Sequence, residues 1–242
     1  MKVATWLAAG CILLPCGIAH AQRKGDLQVS AGWLHVDSRL GTGELAVIDP
    51  PLGTEANTGA VASNPNTFAL LMTFFLTDNV ATETWLGIPP KIDLNGTGNL
   101  SAPGMNPLAT ARSWAPLMLL KYYFGPPSWK FRPFIGAGAA YKFDTDVRVN
   151  PAFQQAASLQ FSNGATADAP SSGHFKPGFA PVLNIGASFN LDRHWSLIAS
   201  LTYLHFSSVG TITTHLPTGN VTSQIRIHEN PLISFVGAAY RF

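Results

Sequence analysis

The sequence predicts an all-β protein, an eight-stranded antiparallel transmembrane β-barrel with short periplasmic turns and long external loops. Three observations predict it. Apolar and polar residues alternate at period two along eight segments, the pattern of strands with one apolar face. The connectors between those segments are alternately short and long, as in outer-membrane barrels. Charged residues make up only 12% of the chain, well below the roughly one quarter usual in soluble domains. A soluble β-sandwich would also alternate, but it would carry more surface charge.

The chain opens on an export signal. Met1-Lys2 gives a positive start, Val3 to Ile18 is apolar and uncharged, and Ala19-His20-Ala21 supplies small residues before Gln22. This is the three-part secretory pattern, with cleavage expected after residue 21. Both cysteines, Cys11 and Cys16, lie inside it. The mature domain, 22–242, is therefore expected to lack disulfides, cysteine metal sites and cysteine nucleophiles. No later run is long and apolar enough for a transmembrane helix.

The strands are expected near 26–36, 66–76, 80–89, 112–124, 130–143, 178–189, 194–206 and 230–242. Each has about 10 residues or slightly more, enough for a tilted strand to cross a bilayer. In the seventh, Trp195, Leu197, Ala199, Leu201 and Tyr203 share one face, against Ser196, Ser200 and Thr202. Phe131, Ile135, Ala137, Tyr141 and Phe143 likewise oppose Arg132, Gly136, Gly138 and Lys142 in the fifth. Thr77-Asp78-Asn79, the stretch 125–129 and the stretch 190–193 are rich in turn residues. Long polar stretches near 37–65, 90–111, 144–177 and 207–229 are expected to form a flexible external mouth. Within or beside them, Arg148, Lys176 and Arg226 are candidate contacts to lipopolysaccharide phosphates.

Lys+Arg total 15 against 13 Asp+Glu, so no basic excess favours nucleic acid. No cofactor is expected, because Gly136-Ala137-Gly138 sits inside a strand, where glycine relieves crowding, and not in a phosphate loop. The six histidines of the mature chain, His35, His174, His194, His205, His215 and His228, have no metal-ligand spacing.

The last strand places Leu232, Val236, Ala238, Tyr240 and Phe242 on one face. An alternating apolar strand ending in an aromatic, here Tyr240 and Phe242, resembles the signal read by the outer-membrane assembly machinery. The chain as a whole resembles the OmpW family, which includes the AlkL-type proteins. The residues that carry the resemblance are Thr77-Asp78-Asn79-Val80 with Glu83, Lys121 to Gly125, Lys130 to Gly138, and Asn230-Pro231 through Phe242. The resemblance implies an eight-stranded outer-membrane barrel of a Gram-negative bacterium with an unusually apolar lumen. It also implies passage of small hydrophobic molecules across the outer membrane.

Eight strands enclose a space that side chains fill or that holds one small ligand. The inward face therefore sets the function. Leu71, Phe75, Trp85, Leu117, Leu119, Phe134, Ile198 and Leu204 are the candidate ligand pocket, placed toward the outside. Inward charges are few: Glu83, Lys121, Arg132, Lys142 and Arg241. Glu83 must be paired in a dry interior, and Arg132 or Lys121 is its expected partner, in a charged plug below the pocket.

Pro89, Pro116 and Pro181 fall near the external rim. A closed barrel has no edge strand on which to place a residue without an N–H. Pro89 and Pro116 belong to neighbouring strands, so the outer part of that seam is expected either to open sideways into the bilayer or to hold a bulge or an early strand end at the rim.

Two other readings stand beside transport. External loops of a small barrel can serve a receptor, an adhesin or an envelope stabiliser, with the lumen filled solid. A lipid-modifying enzyme would use His205 and Ser207, neighbours on one strand face, with Glu229 as the carboxylate of a Ser–His–carboxylate set.

Overall fold

The computed structural model describes residues 23–242. The leader read over 1–21, with Cys11 and Cys16, lies outside them. In chain order the strands are β1 (Leu27–Asp37), β2 (Leu40–Thr42), β3 (Leu45–Asp49), β4 (Gly53–Glu55), β5 (Thr58–Ala62), β6 (Asn66–Phe75), β7 (Val80–Gly87), β8 (Lys91–Gly98), β9 (Ala109–Trp114), β10 (Leu117–Tyr123), β11 (Phe131–Val149), β12 (Ser171–Phe175), β13 (Gly178–Asn190), β14 (Trp195–Leu204), β15 (Phe206–Leu216), β16 (Gly219–Glu229) and β17 (Leu232–Arg241). The helix α1 (Pro151–Phe161) lies between β11 and β12.

Eight strands close the barrel in the order β10-β7-β6-β1-β17-β14-β13-β11, and β10 pairs back onto β11. Every barrel pairing is antiparallel. Alternation decides which side chains enter. Along β14 the odd positions Trp195 to Tyr203 face out, and Ser196, Ile198, Ser200, Thr202 and Leu204 face in. The wall carries two aromatic girdles, as expected where amphipathic rings meet the headgroups. Tyr122, Phe124, Trp129, Phe131, Trp195, Tyr240 and Phe242 mark the end that carries the short turns. Trp33, Phe68, Tyr141, Phe179 and Tyr203 mark the other, and exposed Leu70, Leu120, Ile135, Leu183, Leu197 and Val236 lie between.

Two expected strands are interrupted. The fourth, placed over 112–124, divides at Ala115-Pro116 into β9 and β10. Pro116 has no N–H to give the ladder. The seventh, placed over 194–206, ends at Leu204, and β15 begins at Phe206. There the backbone N–H groups of Leu204 and His205 go to the carbonyls of Pro231 and Pro181.

The expectation of a flexible loop mouth is corrected by the structure. β11 runs for 19 residues, past the upper girdle. Its outer part pairs with β9, and β8 and β5 follow. A second sheet has the order β12-β15-β16-β3-β4, with β2 also paired to β16. The hairpin of β15 and β16 pairs over its whole length, from Phe206–Glu229 to Leu216–Gly219. Val221, Ser223, Ile225 and Ile227 of β16 are buried on one face; Val221 clusters with Val47 and Leu216, and Ile225 and Ile227 with Leu45. The helix α1 starts where Asn150 Oδ1 accepts the N–H of Ala152 at 2.8 Å, ahead of a proline suited to the first turn. Its Phe153 packs with Ala60 and Leu108. These stretches thus form an extracellular layer with apolar clusters of its own.

Candidate functional site

The lumen changes character along the barrel axis. Toward the short turns the inward residues are largely polar: Gln28, Ser30, Thr73, Asn184, Ser188, Ser196 and Arg241 are all buried. Toward the outside they are apolar: Leu34, Val36, Ala69, Trp85, Leu117, Val182, Leu204 and Ile233.

The periplasmic end is closed by two residues that tie neighbouring turns together. Arg132 Nη2 donates to the carbonyls of Asp78 at 2.8 Å and Gly125 at 3.2 Å. Asn79 Nδ2 donates to the carbonyls of Tyr123 and Gly125. Above them Tyr123 packs between Phe75 and Phe134, with ring centroids 5.1 and 4.9 Å away. Two glycines leave room for this layer. A Cβ at Gly186 would lie 2.5 Å from the Phe134 ring, and one at Gly136 would lie 3.0 Å from Lys121 Cγ.

One level higher, Lys121 Nζ sits 2.6 Å from Glu83 Oε2, both side chains withdrawn from solvent. The ammonium also lies 4.3 Å from the centre of the Phe134 ring, an arrangement that favours a cation. Thr73 Oγ1 donates to Glu83 Oε2 at 2.8 Å, and Trp85 Nε1 donates to Oε1 at 2.8 Å. Of the two partners expected for Glu83, Lys121 is the one in contact, while Arg132 is held by the turns below.

Above this pair lies an apolar cavity of about 410 Å³. Of the eight expected pocket residues, Trp85, Leu117 and Leu204 line it. Leu71, Phe75, Leu119, Phe134 and Ile198 do not; they pack with one another in the barrel core. The barrel narrows to a filled interior at their level, so the space available to a ligand sits higher than inward parity alone suggests. Leu34, Val36, Ile233, Ile88 and Ile92 complete much of the lining, and Ser38, Ser113, Lys142 and Glu229 supply its polar points.

Outward-facing Phe68 and Leu86 line the same cavity. The ladder explains how. β7 and β10 pair from Val80–Tyr122 to Thr84–Met118 and no further, and Thr84 Oγ1 caps that end by donating to the Leu117 carbonyl at 3.0 Å. Beyond it, Trp85, Leu86 and Gly87 remain paired to β6, and Leu117 to β11. Pairing resumes at the Ser113 N–H, which donates to the Pro90 carbonyl at 3.1 Å, and at Lys91–Arg112. Among the described residues no hydrogen bond joins 85–89 to 114–117. A break in the hydrogen-bond ladder is thereby bounded above and below, with Pro89 and Pro116 on its two sides. Pro181, in contrast, sits within the pairing of β13 with β11.

The residues considered for lipid-modifying catalysis are not brought together. Glu229 points inward, where its Oε1 accepts from Lys142 Nζ at 2.9 Å. His205 is exposed, its Nδ1 2.7 Å from Asn230 Oδ1, and Ser207 is exposed beside it. A pleated strand sends Glu229 and His205 to opposite faces of the sheet.

The OmpW family model matches residues 23–242. Outer membrane protein W of Escherichia coli strain K12 is 25% identical over the full length of both chains. Outer membrane protein AlkL of Ectopseudomonas oleovorans is 23% identical, with 82% of this chain and 76% of that protein aligned. The crystal structure of outer membrane protein OprG from Pseudomonas aeruginosa superposes with a TM-score of 0.77 at 18% identity, covering 93% of this chain and 99% of that one. The AlkL structure in lipid bilayers gives 0.62 at 20% identity, over 100% and 96%. Fold, girdles and relatives place the protein in the outer membrane of a Gram-negative bacterium, and the chain belongs to the OmpW family.

Proposed function

We propose that the barrel passes small hydrophobic molecules from the outside into its apolar cavity and releases them sideways, through a window at the break between β7 and β10, into the bilayer. The observation that carries this reading is that inward Trp85 and Leu117 line one cavity together with outward Phe68 and Leu86. A molecule seated there faces apolar side chains and then lipid. Moving between two apolar surroundings costs little, because water is never re-entered. The downward route runs past the Lys121–Glu83 pair, the aromatic layer and Arg132, all packed. An apolar molecule there would have to separate paired charges.

Two further partners belong to the same reading. The outward Tyr240 and Phe242, at the end of β17, suit the assembly machinery, and exposed Arg148, Lys176 and Arg226 suit lipopolysaccharide phosphates.

The test is uptake of a small alkane by cells with and without the protein, at matched barrel content in the outer membrane. Faster uptake with the protein supports passage. Equal uptake across several apolar compounds rejects it and leaves the folded extracellular layer, as a receptor, adhesin or envelope stabiliser, as the functional surface.

A further inference from the structure

The apolar cavity of the barrel meets the extracellular layer at a charged point. A second cavity of about 30 Å³ lies beyond it, and four residues line both: Leu40, Ile92, Lys142 and Glu229. The small cavity also shares Leu94, Ala109 and Phe175 with the next space in the layer. That space in turn shares Leu45, Leu100, Phe153 and Ile212 with one of about 230 Å³ beside α1. Adjacent spaces therefore lie in a row from α1 to the barrel, and the Lys142–Glu229 pair stands between the last of them and the main cavity.

Lys142 is fully engaged. Its Nζ lies 2.9 Å from Glu229 Oε1, 3.4 Å from Asp144 Oδ2 and 5.1 Å from the centre of the Phe206 ring. All three charged side chains are at least 87% withdrawn from solvent, with 10%, 13% and 10% remaining exposed for Lys142, Glu229 and Asp144. Two carboxylates share one ammonium, so with Glu229 ionised the group carries one negative charge in excess.

We propose that this constriction determines specificity: it admits uncharged apolar and amphipathic molecules and refuses carboxylates of the same chain length. The inference rests on the reading of the barrel as a hydrophobic passage. An uncharged hydroxyl head can donate to Glu229 or Asp144 as it passes. A carboxylate meets like charge where water screens little, finds no uncommitted cation, and has already lost hydration. Loss of hydration alone would hinder any ion. The excess charge is the part that belongs to this chain, and it is removable.

The experiment compares entry of a medium-chain fatty alcohol and of the carboxylate of equal length, at a pH where the acid is ionised. It uses the full-length protein in liposomes with a lumenal probe, with empty liposomes as the baseline. The readout is the carboxylate-to-alcohol ratio of the protein-dependent rates. Glu229→Gln removes the excess charge and leaves Lys142 paired to Asp144. The ratio is expected to rise about tenfold, the effect of roughly 1.4 kcal/mol less repulsion. Asp144→Asn removes the same charge from the other side and should move the ratio in the same direction, which keeps the test decisive if one variant does not fold. A ratio that is unchanged in the folded variants overturns the proposal while leaving passage intact. A wild-type protein that accelerates neither compound overturns passage itself, and the specificity inference with it.

Discussion

The indole N–H of Trp85 donates to Glu83 Oε1 at 2.8 Å, joining the floor of the apolar cavity to the buried ion pair beneath it. The two residues are neighbours on one face of β7, two positions apart. Trp85 lines the cavity with its ring and satisfies Glu83 with its nitrogen. Glu83 thereby accepts from Thr73 and Trp85 and is ion-paired with the Lys121 ammonium.

That arrangement predicts a strongly non-additive mutant cycle. Glu83→Leu leaves the Lys121 ammonium buried without its carboxylate and should cost about 3–5 kcal/mol. The double variant Glu83→Leu, Lys121→Met removes both charges and should recover most of that loss. Urea unfolding of the barrel in lipid measures it. Equal instability of the single and double variants would show that packing, not charge, sets the cost.

The proposed exit at the break between β7 and β10 predicts a transport phenotype with an intact fold. Pro89→Val and Pro116→Val together return two N–H donors to the seam and favour continued pairing of β7 with β10. Alkane uptake should fall in the double variant while the heat-dependent gel shift of the folded barrel persists. Uptake equal to wild type would keep the passage and reject this exit.

The filled lower lumen predicts that glycine is required at 186. A valine there would displace the Phe134 ring, whose nearest carbon already lies 2.5 Å from an added Cβ. Overpacking of a core costs about 1–3 kcal/mol, and thermal unfolding should report at least that. Phe134→Leu in the same chain should relieve part of it by vacating the ring's space.

Glu229 predicts a pH dependence of the extracellular layer. Burial holds its carboxyl above the ordinary carboxylate value, with the Lys142 ammonium opposing the shift and Asp144 adding to it. A carboxyl raised in the folded state contributes stability that is present below its unfolded value and lost as pH rises through the folded one. Glu229→Gln, locked in the uncharged form, should gain stability relative to wild type on going from about pH 4 to about pH 8. Protease cleavage within 207–229 across that range measures the difference. A constant difference would mean that the carboxyl titrates alike in both states.

The start of α1 makes a local prediction. Asn150→Ala removes the cap on Ala152 and the donor to the Pro107 carbonyl, at about 1 kcal/mol. Amide exchange should accelerate in α1 and leave the barrel strands unchanged.

The sequence by itself determined which residues face lipid and which face inward. A strand has period two, and a hydrocarbon bath on one side makes that period visible in Trp195 to Tyr203 and again in Leu232 to Phe242. It also placed the turns, because Thr77-Asp78-Asn79 can do little else, and it marked Pro89 and Pro116 as residues a ladder must accommodate. The extracellular strands were harder to see. Val221, Ser223, Ile225 and Ile227 do alternate, but with water on the outer face and small cavities within, the contrast is weaker than in the wall. Tertiary structure decided what inward parity leaves open. Leu71, Phe75, Leu119, Phe134 and Ile198 share their parity with Trp85, Leu117 and Leu204, yet the former pack solid and the latter bound the cavity. The difference is height along the axis and the bulk of the side chains opposite, neither of which is a property of one strand. The choice of Lys121 over Arg132 for Glu83 was settled the same way. Strand register puts Lys121 beside Ala81 and Gly136, where its stem has room to reach the carboxylate, and puts Arg132 at the closed end, where its Nη2 donates to the turn carbonyls.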